Sequence, residues 1–388
     1  MARKKSKLRQ ILSIRRLRWS FMRGAIRLWP PLGRAFAFPL ISLRAVDCAA
    51  KVLEDRQELW KIDVTPEEVR DILRPSAGND TGDTKGNEAG ETVMRRQLAL
   101  LENCEVLGHT GTIFRPQEQA LVNLDGSRPN WNFSKPARLQ RHQLAPGRYV
   151  LLPNMGHYYH LFANDILPLL AVLENRSPEL PLTALVPTGG HPVQQQACDA
   201  LVKAYPCLRV EEFGKSERLS GGTLEWIAAL GANYEWMPVT RDLATQLTRI
   251  LRNGNGAPQD STRAKRVFLD RGTAKLRRMR DDVAVRAVLD RHGYRPFIAH
   301  YGNFAEQVET FHAADRVVAV HGAGLTNLLF CRPGTQVVEI FPENFVKSTY
   351  FWLSRRLGLD YRYVIGGPGD YDQTFQAGAE ALDIRLRD

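Results

Sequence analysis

Acidic residues are absent from one end of this sequence. Residues 1–46 carry twelve Lys or Arg and no Asp or Glu, whereas the rest of the chain carries 41 basic and 42 acidic residues. The formal charge of +11 therefore belongs to a tail, and a neutral body gives no support to a nucleic-acid-binding fold. Cysteine is scarce and scattered. Cys48, Cys104, Cys198, Cys207 and Cys331 are odd in number with no C-x-x-C pair, which excludes a disulfide framework and a cysteine zinc site and fits a reducing compartment. No uncharged run approaches the roughly 20 residues a bilayer span requires. What is present is 44% hydrophobic residues over 388 positions, enough for two α/β domains with buried cores.

The basic tail interleaves its cations with Ile11, Leu12, Ile14, Leu17, Trp19, Phe21, Met22, Ile26, Leu28 and Trp29. That mixture predicts a helical extension over residues 1–47 lying on an anionic membrane surface, where each cation contributes roughly 1 kcal/mol. The charges interrupt any signal-peptide core. A solvated arm or an RNA-binding tail is the alternative, and salt-dependent liposome binding separates the two.

Residues 48–92 predict a helical segment, with Thr65-Pro66-Glu67-Glu68 as a helix start, followed by a polar loop in which Gly78, Gly82, Gly86 and Gly90 recur. From 93 to 252, strand-like runs ("RYVLLP", "TALVP", "LRVEEF", "TLEWIAAL") alternate with helical patterns at 156–175 and 191–204, the signature of a wound parallel sheet. "NGNGAPQDST", residues 253–262, predicts a linker. Alternation resumes over 263–388 with "RVFLD", "RPFIAH", "RVVAVHG", "QVVEIFP" and "DYRYVIG" as strands, a second Rossmann-like domain.

The densest chemistry lies at His321-Gly322-Ala323-Gly324, where a strand turns directly into a helix. Unpaired N–H groups at a helix start, with small side chains, suit a phosphate or pyrophosphate. Gly also simply permits tight turns, and His321 is either a ligand contact or a hydrogen-bonded structural residue. Arg271 ends the strand "RVFLD", and Arg277, Arg278 and Arg280 follow within one or two helical turns, either facing the same anion or forming a solvated helix face. Glu339 is read as an acceptor for ribose hydroxyls or as a strand-end surface acid. The turn lacks the G-x-G-x-x-G spacing and sits late in its domain, which disfavours a dinucleotide dehydrogenase.

Three separated blocks, "NMGHYYHLFANDILPLLAVL", "HGAGLTNLLFCRPGTQVVEIFP" and "YFWLSRRLGLDYRYV", together resemble glycosyltransferase family 61 over roughly residues 148–365. The resemblance implies an α/β GT-B-like architecture, two Rossmann-like domains facing across a cleft, here with the basic N-terminal extension added. It implies inverting transfer from a nucleotide-sugar donor held mainly by the C-terminal domain. Carried onto this sequence, the donor residues are Arg271, Arg278, His321, Gly322, Ala323, Gly324, Leu325, Thr326 and Asn327, to which the strand-end reading adds Glu339. Two departures stand out. Asp270-Arg271 replaces the family's usual Ser-Arg, and Asp281-Asp282 follows the arginines where Asn-Glu is common.

Inverting transfer needs a base beside the acceptor hydroxyl and charge stabilisation for the leaving diphosphate. In "GHYYHLFANDILP", helical spacing puts His157, His160 and Asn164 on one face, with Asp165 about a quarter turn away. Asp165 is the first candidate base and His160 the second, with Asn154, His157 and Asn164 on the acceptor side. The alternatives are a chain-turning Asp165 before Pro168 and a buried structural His160. The histidines lack a third metal ligand, and Asp370-Tyr371-Asp372 sits in a Gly-rich C-terminal stretch, so no essential metal or other cofactor is expected. The expected partners are a nucleotide sugar, a surface-polysaccharide or lipid-linked acceptor and an anionic membrane at the inner face of the cytoplasmic membrane, without nucleic acid. Polysaccharide pyruvyl transfer and a non-catalytic assembly role are the competing functions.

Overall fold

The computed structural model describes residues 40–42 and residues 95–387, with breaks at 102, 109–111, 117–119, 124–138, 153–157, 175, 177, 215, 231–238, 256–262 and 273. The segment 48–92 and the basic tail, apart from 40–42, lie outside the described residues. So do Asn154 and His157.

The first half contains β1 (Leu40–Ser42), β2 (Arg95–Leu101), β3 (Glu105–Leu107), β4 (Thr112–Arg115), β5 (Ala120–Asn123), β6 (Gln140–Gln143), β7 (Arg148–Leu151), β8 (Leu182–Pro187), β9 (Leu208–Phe213), β10 (Glu217–Ser220) and β11 (Thr223–Leu230). They form two sheets, ordered β1-β5-β4-β3-β10-β6 and β2-β11-β7-β8-β9. In the second, β11, β7, β8 and β9 run parallel and β2 is antiparallel at the edge. The N-terminal half is thus a wound parallel sheet carrying an added mixed sheet, more than the single Rossmann-like domain its sequence predicts. Leu40–Ser42, inside the predicted helical extension, instead pairs as a strand with β5.

A helical rod over 158–174 follows β7. It opens with an α turn, Tyr158–His160, passes through a π segment, Leu161–Ile166, and continues as α-helix Leu167–Glu174. Helix α1 (Pro192–Ala204) starts with Pro in its first turn and His191 as cap, Nδ1 accepting from Val193 N–H at 3.2 Å. Helix α2 (Arg241–Asn255) is capped by Thr240, whose Oγ1 accepts from Leu243 N–H at 2.7 Å.

Helix α2 overruns the first three residues of the predicted linker. Its buried stripe, Leu243, Leu247, Ile250 and Leu251, carries the helix forward. Gly254 is there for contact, because a Cβ would lie 2.6 Å from the Ala200 Cβ on α1. The same apolar cluster takes in Leu170 and Leu247 from the first half and Phe311, Leu328 and Leu353 from the second. The two halves therefore share one continuous apolar core.

The second half alternates β12 (Arg266–Asp270), α3 (Asp282–Arg291), β13 (Arg295–Ile298), α4 (Phe304–Ala313), β14 (Arg316–Val320), a 3-10 helix (Ala323–Phe330), β15 (Gln336–Phe341), α5 (Thr349–Leu357), β16 (Asp360–Ile365) and α6 (Ala379–Arg387). All five strands are parallel, in the order β13-β12-β14-β15-β16. The chain steps outward from β12 to β13, then crosses back to β14. In such sheets ligands bind where the order reverses, beyond the carboxyl ends of the strands. Among the described residues no helix is long and apolar enough to cross a membrane.

Candidate active site

A cavity of about 340 Å³ opens at that reversal. Asp270, Arg271 and Ala274 line it from the end of β12, Ala299, His300 and Tyr301 from β13, and Val320, Gly322, Ala323 and Gly324 from β14. Gln307 and Leu269 form part of its wall, and Tyr158 reaches it from the first half.

Arg271 dominates the electrostatics. Its Nη1 donates to the His321 carbonyl at 2.9 Å, and its buried Nε has no hydrogen-bond partner. Burial, then the like charge of Arg277, lowers this guanidinium to about 10, still protonated at neutral pH. Burial likewise lowers the Arg277 pKa, and its Nε is also without a hydrogen-bond partner. Two adjacent cations held partly out of water favour a multiply charged anion, which would accept several of their N–H bonds at once.

Gly322 serves this arrangement by having no side chain. Its backbone is extended, at φ 167°, so any residue satisfies the torsion. A Cβ, however, would sit 2.0 Å from Arg271 Nη1. Beyond it, the first N–H groups of the 3-10 helix have no intrahelical acceptor and face the start of the helix. The helix is 3-10 where the sequence predicts α, with Leu325 N–H bonding Gly322 O at 2.9 Å.

Of the arginines after β12, Arg277 is half-buried and close enough to Arg271 for their like charges to interact, while Arg278 is exposed and does not line the cavity. No helix forms over 274–281. Arg277 takes a left-handed backbone, φ 57°, while its N–H donates to Asp372 O, and Phe375 N–H donates to Arg278 O. Such a backbone in a non-glycine residue persists only when its surroundings enforce it. The Arg277 guanidinium lies 5.0 Å from the Phe345 ring centroid, a cation–π contact.

Glu339 is neither a ribose acceptor nor a surface acid. It is fully buried within β15, and both carboxylate oxygens are engaged, Oε1 with His321 Nδ1 at 2.5 Å and Oε2 with the Tyr361 hydroxyl at 2.6 Å. Burial pushes the Tyr361 phenol well up, keeping it a donor. With Glu339 as acceptor, the His321 proton belongs on Nδ1, and the ring stacks on Phe341 with centroids 5.2 Å apart. His321 is thus a positioned imidazole beside the cavity, its carbonyl fixing Arg271.

Leu325, Thr326 and Asn327 are fully buried behind the turn and do not line the cavity. Asn327 instead ties elements together. Its Oδ1 accepts from the Tyr158 hydroxyl at 2.7 Å, and its Nδ2 donates to Gln307 Oε1 at 2.9 Å and Gly324 O at 3.0 Å.

Asp165 does not reach the cavity in this structure. It is fully buried, accepts from Gln194 Nε2 at 2.7 Å and lies close enough to Cys198 to add to the raised thiol pKa, which is about 12 mainly from burial. The wider π turn has rotated it toward α1. His160 is half-buried, its Nδ1 3.4 Å from Nδ2 of the exposed Asn164. Its neighbour Tyr159 meets Tyr350 at 6.4 Å, and Tyr350 meets His321 at 5.6 Å. Asp370 of the Asp-x-Asp match is exposed and committed to the Asp372 and Thr374 N–H groups and to Arg280.

Residues 158–338 match the model of the family Glycosyltransferase 61. The match covers just under half of the chain. Among curated proteins, the beta-1,2-xylosyltransferase RCN11 of Oryza sativa subsp. japonica is 32% identical over 82 residues, 21% of this chain and 15% of that protein. The similarity thus spans a small part of the relative's length. The cavity falls entirely within the glycosyltransferase 61 segment, from Tyr158 at its first position to Gly324.

Tyr158, His300, Tyr301 and Gln307 are the site residues that sequence reasoning missed, while Arg277 stood out only as one of three arginines after β12. Tyr158 and Gln307 carry no local signal, since each acts through a partner distant in sequence. Tyr301 was findable as an aromatic directly following a strand end.

Proposed function

We propose that the protein is an inverting glycosyltransferase that moves a sugar from a nucleotide-sugar donor to a surface-polysaccharide or lipid-linked glycan. The observation that carries this is Arg271, a partly buried cation with an unpartnered Nε lining the cavity at the sheet reversal, with Arg277 close enough to add its charge, inside the segment that matches the glycosyltransferase 61 model. The donor diphosphate lies in the cavity beside Arg271 and the Gly322–Gly324 turn on which that arginine packs. The acceptor hydroxyl attacks the anomeric carbon, the bond from that carbon to the diphosphate breaks, and its electron pair leaves on the diphosphate. Arg271 and Arg277 stabilise that charge as it develops.

The acceptor proton passes to a base from the first half. Asp165 is buried away from the cavity, so His160, half-buried on the turn that packs toward His321, takes this role. Arg278 has no part in it. No metal enters the scheme, since arginine and backbone N–H groups supply the charge stabilisation. The basic tail holds the enzyme at the inner face of the cytoplasmic membrane, near a lipid-linked acceptor. Deleting residues 1–46 is expected to lower vesicle binding while sparing turnover on a soluble acceptor.

The test is thermal stabilisation of wild type and Arg271→Ala by UDP, GDP, CMP, NAD and phosphoenolpyruvate, because a ligand selective for the folded state raises apparent stability by mass action. A shift with one nucleotide, lost in the variant, is expected. A shift with phosphoenolpyruvate alone would replace sugar transfer with pyruvyl transfer.

A further inference from the structure

From the far wall of the cavity we infer that Tyr301 is the stacking platform for the donor's nucleobase, an inference that rests on the proposed nucleotide-sugar chemistry. Tyr301 follows β13, on the flank of β12 opposite β14. Its side chain is 49% exposed and lines the cavity, while its ring meets His191 of the first half edge-on, with centroids 4.1 Å apart at 68°.

The loop that carries Tyr301 is fixed in place before any ligand arrives. His300 Nδ1 accepts from Gly302 N–H, and Asn303 Oδ1 accepts from His300 N–H, a reciprocal cap. Gln307 Nε2 donates to His300 O at 2.7 Å and to Asn303 Oδ1 at 2.9 Å. Through Gln307 Oε1 and Asn327 the chain of bonds continues to Tyr158. An exposed aromatic on a loop held this way loses little freedom on binding a ring.

Geometry assigns the ring. Arg271 and the Gly322 turn hold the diphosphate in the middle. His321, Tyr350 and Tyr159 lead toward His160 on the β14 and β15 side, where the sugar must meet the acceptor. The other end of the donor then extends toward β13 and Tyr301. A planar base gains from stacking on an aromatic face whatever its hydrogen-bonding edge, an effect on the order of tenfold in affinity.

The experiment is calorimetric titration of wild type, Tyr301→Ala and Tyr301→Phe with UDP, GDP, CDP and inorganic diphosphate. The expected result is that Tyr301→Ala weakens the best-bound nucleoside diphosphate by about tenfold and leaves inorganic diphosphate unchanged, while Tyr301→Phe binds both as wild type does. Unchanged nucleotide affinity in Tyr301→Ala would overturn the inference, as would an equal loss for inorganic diphosphate. Wild type that binds inorganic diphosphate and nucleoside diphosphates equally well overturns the stacking role and leaves the anion site standing. Wild type that binds none of the four ligands overturns the proposed donor chemistry itself, and the stacking role with it.

Discussion

The two five-stranded sheets differ in what their carboxyl ends carry. In the C-terminal sheet every strand is parallel, and the ends of β12, β13 and β14 each deliver residues to one cavity. The N-terminal sheet has an antiparallel edge and a second sheet beside it, and among its described residues only Tyr158, on the helix after β7, reaches the same cavity. Ligand chemistry is thus concentrated in one half, and the other half contributes supports: Tyr158 bonded to Asn327, His191 against Tyr301, and Arg252 on α2 paired with Glu309 on α4. One half of this architecture supplies most of the cavity lining, and the other braces the walls around it.

The largest effects are expected in the C-terminal half. Arg271→Ala should lower kcat/KM by about 100-fold, the scale for losing a charge-stabilising donor. Gly322→Ala should act in the same direction, because its new Cβ occupies the position of Arg271 Nη1 while the extended backbone tolerates it. Steady-state kinetics with folded protein checks both, and an unaffected Gly322→Ala would break the link between turn and arginine.

Next comes the contact between halves. Arg252 Nε and Nη2 donate to Glu309 at 2.7 and 3.2 Å, and Glu309 is 3% exposed. Arg252→Ala leaves that carboxylate buried without its cation, at a cost of about 3 kcal/mol in denaturant unfolding. A much smaller cost would mean that the halves hold together without this pair.

Glu339→Gln tests the positioning of His321 with little change in shape. It should lower kcat by roughly tenfold while nearly preserving stability, whereas Glu339→Leu, leaving His321 Nδ1 and the Tyr361 hydroxyl unsatisfied, should cost roughly 1–3 kcal/mol. Equal behaviour of the two variants in both assays would make Glu339 a purely structural residue.

The smallest expected effect concerns pH. Burial lowers the His191 pKa below 6.5, and His312 shifts in the same direction. The unfolded chain therefore takes up these protons first as pH falls. Stability from the two groups is full above about pH 6.5 and declines with acidification below it. His191→Asn keeps a capping acceptor for Val193 N–H and removes one titration, so its acid-side decline should be shallower by thermal melts across pH 5–7.

The strands of the C-terminal sheet were legible because each is a short apolar run bounded by turn residues, and "RVFLD" corresponds to β12 residue for residue. Which of Arg277, Arg278 and Arg280 is drawn inward was not legible. "KLRRMRDD" offers no apolar period, and its conformation is set by Asp372 and Phe375, more than ninety residues away. Glu339 left a trace, a single acid inside "QVVEIF", where a continuous apolar strand makes a buried, paired carboxylate the physical expectation. The rotation of Asp165 comes from one π segment that residue spacing alone does not reveal. Gly254 misled because glycine marks a linker and a tight helix contact with the same letter.

The most direct test compares two neighbouring arginines, by calorimetric titration of the best-bound nucleoside diphosphate into wild type, Arg277→Ala and Arg278→Ala. A diphosphate held at the sheet reversal by Arg271 and Arg277 predicts an affinity loss of about tenfold or more for Arg277→Ala and no change for the exposed Arg278→Ala. Loss of binding in Arg278→Ala with Arg277→Ala unaffected would contradict it.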